Sequence, residues 1–320
     1  MLEVLTAPAE FFMDAGKRVY WLYLLSALVV ASLATSIQAR RFNPAEQFKT
    51  FFDRHYWFAR SSMVDVCLMF INSIVKIALL LPLFGSHLAA TILVGAFFQD
   101  TFGDAPQFEL GWFWIGLLFS TVFFVIEDLS RFCLHFCMHR FDSLWFFHRT
   151  HHSATVLTPL TLFRVHPVEH ILYFARSLIV FGLVSGVFVW LFSQRLTGLQ
   201  ILGVDMFGFL FNFAAANLRH SHIWISFGRL EKIFISPAQH QLHHSVGNSN
   251  SNLGSVLSIW DGMLGTRVYA GKKKLLEFGL GPNKKRRAEK KIPMGSHALF
   301  QPLTETILAK KDYDGSSKGV

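Results

Sequence analysis

The first long apolar run covers residues 19–37 and is followed at once by Arg40 and Arg41. It is longer than the core of a cleaved signal, so a retained membrane span is predicted there. Residues 39–62 mix charge with Phe51, Phe52, Tyr56, Trp57 and Phe58, the composition of an amphipathic interfacial helix. A second span is predicted over 64–84, with Pro82 marking its end. The run 88–98 is apolar but too short to cross and reads as re-entrant or interfacial. Residues 99–110 hold Asp100, Asp104 and Glu109 without a basic residue, as a loop on the opposite side would. A third span starts at Gly111 and passes beyond Ile126 into a polar, His-bearing helix. Residues 171–192 and 199–216 read as a hairpin of two more spans, after which no run is long enough to cross. The expected fold is all-α: a polytopic membrane protein of about four to five transmembrane helices with a His-rich helical cap holding two metals.

Composition narrows the class. The chain has 320 residues, 52% hydrophobic and 16% charged, with 35 Phe and mean hydropathy +0.37. Soluble domains carry about 25% charged residues. Disorder, a coiled coil, a small disulfide scaffold and an ordinary soluble enzyme are all excluded. The net charge of +9 suggests nucleic acid until it is located. Between Lys272 and Lys291 lie nine Lys/Arg and two Glu, a net +7. A basic run beside membrane spans marks the cytoplasmic side or touches anionic lipid, so no nucleic-acid partner is expected. The same bias places the 39–62 segment, both His-rich blocks and the tail on the cytoplasmic side. The expected domains are N-terminal spans with an interfacial helix over 1–110, a catalytic domain over 111–270 and a basic tail over 271–320. Cys67, Cys133 and Cys137 lie in or beside apolar runs and read as small apolar filler.

The histidines carry the candidate chemistry. Twelve of the 15 fall between His135 and His244, at helical spacing. His135 and His139 are four apart; His148, His151 and His152 form H-x-x-H-H, as do His240, His243 and His244. Positions i, i+3 and i+4 share a helix face, so each group can point two or three imidazoles at one point. Clustered imidazoles beside lipid repel on protonation, and the neutral ring is the commonest protein metal ligand. Eight grouped His, with His220 and His222, are too many for one tetrahedral zinc and suit two ions. A carboxylate-bridged bundle site needs Glu-x-x-His pairs, and no Glu stands three before a clustered His. An all-imidazole pair of irons is the natural alternative. A bis-His haem protein would instead place isolated His on facing spans.

From Asp128 to Thr266 the chain resembles the fatty acid hydroxylase and sterol desaturase superfamily of membrane-bound, histidine-rich di-iron oxidases. The resemblance rests on Asp128, His135, His139, Leu144-Trp145, His148 and His151-His152-Ser153, in that order. It continues through Arg164, His166, Pro167 and Glu169, then His220 and His222. Pro237, His240 and His243-His244-Ser245 follow, and Trp260-Asp261-Gly262-Met263-Leu264-Gly265-Thr266 closes it. The chain departs from the family at Phe136, often Arg there; at His222, commonly Asn; and at Asn252-Leu253-Gly254, commonly N-Y-G.

The resemblance implies that His135, His139, His148, His151, His152, His220, His240, His243 and His244 ligate metal. His222 is a tenth metal candidate, or replaces an Asn that orients a ligand. Asp128 lies two helical turns before His135 on the same face, as a partner of a metal-bound imidazole would. Pro167 followed by Glu169 is a helix start; His166 is expected beside a ligand or the substrate, and Glu169 completes the candidate catalytic residues. The implied activity is O2-dependent hydroxylation or desaturation of a fatty acyl, sterol or polar membrane lipid by two iron ions. No flavin, nicotinamide or haem-binding segment is present in the sequence. Electrons are therefore expected from a separate ferredoxin or b-type cytochrome, with the protein in a bacterial inner membrane or the endoplasmic reticulum. The competing classes are a non-redox zinc-binding membrane enzyme and a His-lined transporter; a transporter would place its ionisable groups mid-span.

Overall fold

The computed structural model describes residues 10–106, 108–192, 200–201, 204–214 and 216–281. Most of the expected tail, and parts of the run 199–216, lie outside these residues. The described residues are helical apart from a two-residue antiparallel ribbon, Gln200–Ile201 with Val204–Asp205, and two isolated bridges. Four stretches are long and apolar enough to cross a membrane: Trp21–Ala39, Arg60–Phe102, Trp112–Arg140 and Pro167–Phe192.

Helix α1 (Trp21–Ala39) is followed by α2 (Pro44–Phe51), started by Asn43 accepting from the Glu46 amide, and by a turn at Arg54–Trp57. Ala27 and Ala31 of α1 pack on Leu218 and Ile223, so this helix supports the segment that carries His220. Helix α3 (Arg60–Val75) opens into a wide turn over Lys76–Leu80 before a last turn at Leu81–Phe84. Pro82 has no amide to give, and the helix accommodates it by bonding Leu81 N–H to the carbonyl of Lys76, five residues back. Gly85, at φ +74, and the Ser86 cap then start α4 (His87–Phe102).

The run 88–98 lies within one helix, α4, which belongs to the candidate span Arg60–Phe102. Helix α4 continues in the direction of α3 alongside α7 (Pro167–Phe192), as three pairings show. Leu80 packs on Phe174, His87 Nε2 lies 3.0 Å from Ser177 Oγ, and the Trp190 indole donates to Gly103 O. The residue count of 88–98 alone misses this because α3 and α4 together form one interrupted crossing. A Cβ on Gly186 would stand 2.6 Å from Val94 Cβ, and one on Gly182 3.0 Å from Ala90 Cβ. Small residues four apart thus let the two helices close together.

Helix α5 (Trp112–Arg140) runs antiparallel to α7, pairing Phe119 with Phe188 and Phe123 with Phe181. Its 29 residues rise about 43 Å, beyond a hydrocarbon core of about 30 Å, so one end projects. That end carries His135 and His139. Leu88, Leu93, Phe97 and Leu118 face outward along α4 and α5, with Trp112 and Trp114 at the far end of α5. The expected span over 199–216 is described only as the ribbon and α8 (Met206–Ala214). Nine residues rise about 14 Å, too little to cross.

Candidate metal centre

Two short helices and one irregular segment bring their imidazoles to those at the projecting end of α5. Helix α6 (Asp142–His152) follows α5 after one residue; α9 (Pro237–His244) starts at a reciprocal Ser236–Gln239 cap with Pro237 in its first turn. His220 follows a 3-10 turn, Ala216–Arg219, which is tied to the chain before α1 by Asn217 Nδ2 donating to Arg18 O at 2.7 Å.

Nine imidazoles sort into two groups. His135, His139, His148, His152 and His243 form one; His151, His220, His240 and His244 form the other. Within each group the facing ring nitrogens lie within 4.8 Å of one another. The groups adjoin, with His152 stacked on His244 at 4.7 Å. Neither H-x-x-H-H triplet converges on one point. Adjacent positions on a helix point about 100° apart, whereas i and i+4 differ by about 40°. Hence His148 and His152 face one group and His151 the other, and His240 and His244 face one while His243 faces the other.

The donor spacing tests what these residues can hold. Nε2 of His135 is 3.1 Å from Nε2 of both His139 and His148, and His220 Nε2 is 3.1 and 3.0 Å from those of His244 and His240. Two nitrogens each about 2.1 Å from a shared ion stand about 3.0 Å apart at a right angle and about 3.4 Å at the tetrahedral angle. The spacing is that of a right-angled set, and five donors exceed a tetrahedral site. Nε2 of His243 and both ring nitrogens of His152 are buried without a hydrogen-bond partner. Burial, reinforced by neighbouring imidazoles, pushes His151 down to about 3 and holds His152, His220, His240, His243 and His244 well below the ordinary imidazole range. The rings are therefore neutral, the state a metal requires. The donor set fits two metal ions.

The outward nitrogens are held by carbonyls and one carboxylate. Nδ1 donates to Leu253 O from His135 (2.7 Å), to Arg164 O from His151 (3.2 Å) and to Ser251 O from His243 (2.9 Å). His148 Nδ1 donates to Glu169 Oε1 at 2.7 Å. Each such bond leaves Nε2 with its lone pair turned inward. Arg219 donates to His240 Nδ1 at 3.0 Å.

Asp128 does not reach an imidazole. Its carboxylate accepts from the amides of Val256 (2.7 Å) and Leu257 (3.0 Å) and from the Trp260 indole (2.9 Å). It anchors the loop whose Leu253 carbonyl takes the His135 proton. His166 neither joins a group nor bonds one of the nine imidazoles: its Nδ1 accepts from the Val168 amide at 3.1 Å, so it caps α7 while its ring packs on Phe147. His222 stands outside both groups, exposed, with its ring edge-on to Tyr56 at 4.5 Å. The backbone there is irregular, yet it turns His220 in and His222 out.

Sequence reasoning missed three supports. Asp261 accepts from the amides of Leu253 and Gly254 at 2.7 and 2.8 Å and from Thr266 Oγ1 at 2.6 Å. That gives the Trp260–Thr266 motif its task, which its recurrence in the family could have suggested. Asp65 pairs with Arg164 at 2.9 Å, both fully buried, fixing the chain that offers Arg164 O. Arg219, beside His220 in sequence, orients His240. A cavity of about 220 Å³ opens beside the groups, reached by His135, His148, His151, His220 and His240.

Seven buried and two half-buried imidazoles, in two adjoining groups beside helices long and apolar enough to cross a membrane, form a site that could hold metal. Residues 120–266 match the family model described as fatty acid hydroxylase. The ornithine lipid hydroxylase OlsE of Rhizobium tropici is 30% identical over 147 residues, which is 44% of this chain and 39% of that protein. The match thus spans well under half the length of that relative. No solved structure matches.

Proposed function

We propose that this protein is a di-iron, O2-dependent oxidoreductase that hydroxylates or desaturates a membrane lipid. The carrying observation is the sorting of nine imidazoles into two adjoining sets with right-angled donor spacing. His135, His139, His148, His152 and His243 would hold one iron and His151, His220, His240 and His244 the other. Two irons so bound supply the O2 chemistry that oxidises an unactivated C–H bond. The remaining work is the chain's own. Glu169 and the carbonyls of Leu253, Arg164 and Ser251 fix four rings in the ligating orientation. The adjoining cavity takes the reacting part of the lipid. A lipid substrate is supported by the fatty acid hydroxylase match and the likeness to a lipid hydroxylase. Electrons come from a separate ferredoxin or b-type cytochrome, since the sequence has no flavin or nicotinamide fingerprint.

The imidazole groups of the catalytic portion, 111–270, face the cytoplasm in this reading, in a bacterial inner membrane or the endoplasmic reticulum. Phe278 bridges to Ser245 beside the second His block, which puts the start of the basic tail on that side of the molecule. Reporter fusions near residue 155 and at the C-terminus should both read cytoplasmic, and one at Asp104 should not.

The deciding experiment pairs metal analysis with lipid profiling. Protein from iron-supplemented, zinc-poor cells should carry two irons. Cells with the active gene should accumulate, only under O2, a lipid that gains one oxygen or loses two hydrogens. Zinc in place of iron with an unchanged lipid profile would refute the reading.

A further inference from the structure

A second cavity, of about 360 Å³, adjoins the one beside the imidazoles. Arg131, Leu162, Val165, His170 and Tyr173 line both, so only these side chains stand between the two spaces. The second cavity combines apolar side chains, such as Met69 and Phe174, with a cluster of cations. Lys17, Lys76, Arg131 and Arg176 all face it. Glu127 answers two of these four cations at once, with Arg131 and Arg176 each 2.7 Å away. Among the described residues, no carboxylate lies within ion-pair distance of Lys17 or Lys76. Nε of Arg176, Nε2 of His170 and Oδ1 of Asn72 are buried in the same lining without hydrogen-bond partners.

The two lysines are brought here by specific features. Lys76 lies within the candidate span Arg60–Phe102, where an ionisable side chain is costly and marks function. It opens the wide turn Lys76–Leu80, a helix irregularity that recurs at functional sites. Lys17 belongs to the segment before α1, held over the chamber by Phe11 stacking on Phe163 at 5.7 Å, with the Lys17 ammonium 5.1 Å from the Phe11 ring. Both lysines lie outside the matched stretch 120–266. A sterol or diacylglycerol would offer these half-buried lysines no counter-charge.

We infer that the chamber binds the anionic group of a lipid headgroup, a carboxylate or a phosphate, through Lys17, Lys76 and Arg176. This rests on reading the neighbouring site as a lipid oxidase, and it narrows that substrate to lipids with an anionic polar end. The reacting part of the same molecule reaches across Tyr173 and His170 into the metal-side cavity.

Native mass spectrometry of the purified, metal-bearing protein in neutral detergent tests this. The probes are an N-acyl amino acid with a free carboxylate, phosphatidylglycerol, and diacylglycerol, all of matched chain length. At least one anionic lipid should be retained about tenfold or more over diacylglycerol, as expected for charge-assisted bonds. The favoured one identifies the source, carboxylate or phosphate. Lys17→Gln combined with Lys76→Gln should remove the preference and leave diacylglycerol retention unchanged. Lys76→Arg, which keeps the charge, should retain it, as should Arg54→Gln at an exposed cation that does not line the chamber. Equal retention of all three lipids, or a preference that survives the double substitution, would overturn the inference. Metal is measured in the same samples, which separates the two readings. A preference without iron refutes only the oxidase; iron without a preference refutes only the headgroup chamber.

Discussion

Glu169 Oε1 accepts the Nδ1 proton of His148 at 2.7 Å, and both side chains are almost wholly buried. The first turn of α7 thereby fixes a ring on α6, and the capping of that turn by His166 sets where Glu169 stands. Removing such a carboxylate partner typically lowers metal affinity about 10–100-fold. Glu169→Ala should therefore lose metal to a chelator far faster than the parent, and Glu169→Gln, which keeps an acceptor, should fall between them. Metal retained equally in all three during dialysis would show that Glu169 does not support His148.

Asp128 and His135 share a face of α5, yet they are linked only through the loop 253–260. Asp128→Ala would strand two amides and an indole in a buried setting, a loss of about 3 kcal/mol or more. The unfolding temperature in detergent should drop sharply. Metal loss should follow, because Leu253 O is no longer held against His135. Asp261→Ala should behave alike, since it clamps the Leu253 and Gly254 amides. If either substitution cost metal without stability, a direct role on an imidazole would replace the loop role.

Helical spacing made eight of the nine imidazoles legible, and the family resemblance added His220, because a metal cage must be built from side chains and side chains are written in the sequence. Their outward partners were not legible. Leu253, Ser251 and Arg164 act through carbonyls, which every residue has, so nothing in their identity signals the role. Asp128 was found for the right neighbourhood and the wrong bond, since face-sharing along α5 says nothing of a loop more than a hundred residues on. The same limit applies to α4: its length predicted no crossing because its continuity with α3 depends on how Pro82 and Gly85 are absorbed. Asp65 was invisible, as a lone acid in an apolar run gives no hint of Arg164.

Close approach of α4 and α7 gives a graded prediction. Ala in place of Gly in a helix gains about 1 kcal/mol of propensity. At Gly182 the new Cβ would sit 3.0 Å from Ala90 Cβ, a contact a small shift relieves. At Gly186 it would sit 2.6 Å from two Val94 carbons and 3.0 Å from the Gly95 amide nitrogen. Gly182→Ala should be near neutral, and Gly186→Ala should destabilise by about 1–3 kcal/mol, as overpacked sites do. Thermal unfolding in detergent reads the order, and the reverse order would show that the two helices are not packed as described.

His222 is where the chain departs from the pattern it resembles, and its ring lies on Tyr56, away from both cages. His222→Asn should keep both metals and a substantial fraction of activity. His220→Ala should lose metal, since His220 Nε2 faces both His240 and His244. Equal metal loss in the two variants would make His222 a ligand and raise the count from nine to ten.

Acid should unfold this centre in a defined direction. His151 has a folded pKa of about 3 against an ordinary 6.5, and His152, His220, His240, His243 and His244 are shifted the same way by burial. A depressed imidazole pKa means the unfolded chain binds more protons, so stability rises with pH across the window. The contribution is complete above about pH 6.5 and is lost as pH falls toward the folded value. Each such ring can cost up to about 1.4 kcal/mol per pH unit within that window. Bound metal sharpens the loss, because its ligands must be neutral and protons compete for the same nitrogens. The unfolding temperature in neutral detergent should stay level from pH 8 to about 6.5, then fall steeply with release of metal. The chelator-treated protein should show the same onset with a smaller slope. An unfolding temperature that stays level to pH 5 in both forms would mean that these imidazoles are not held neutral by the fold.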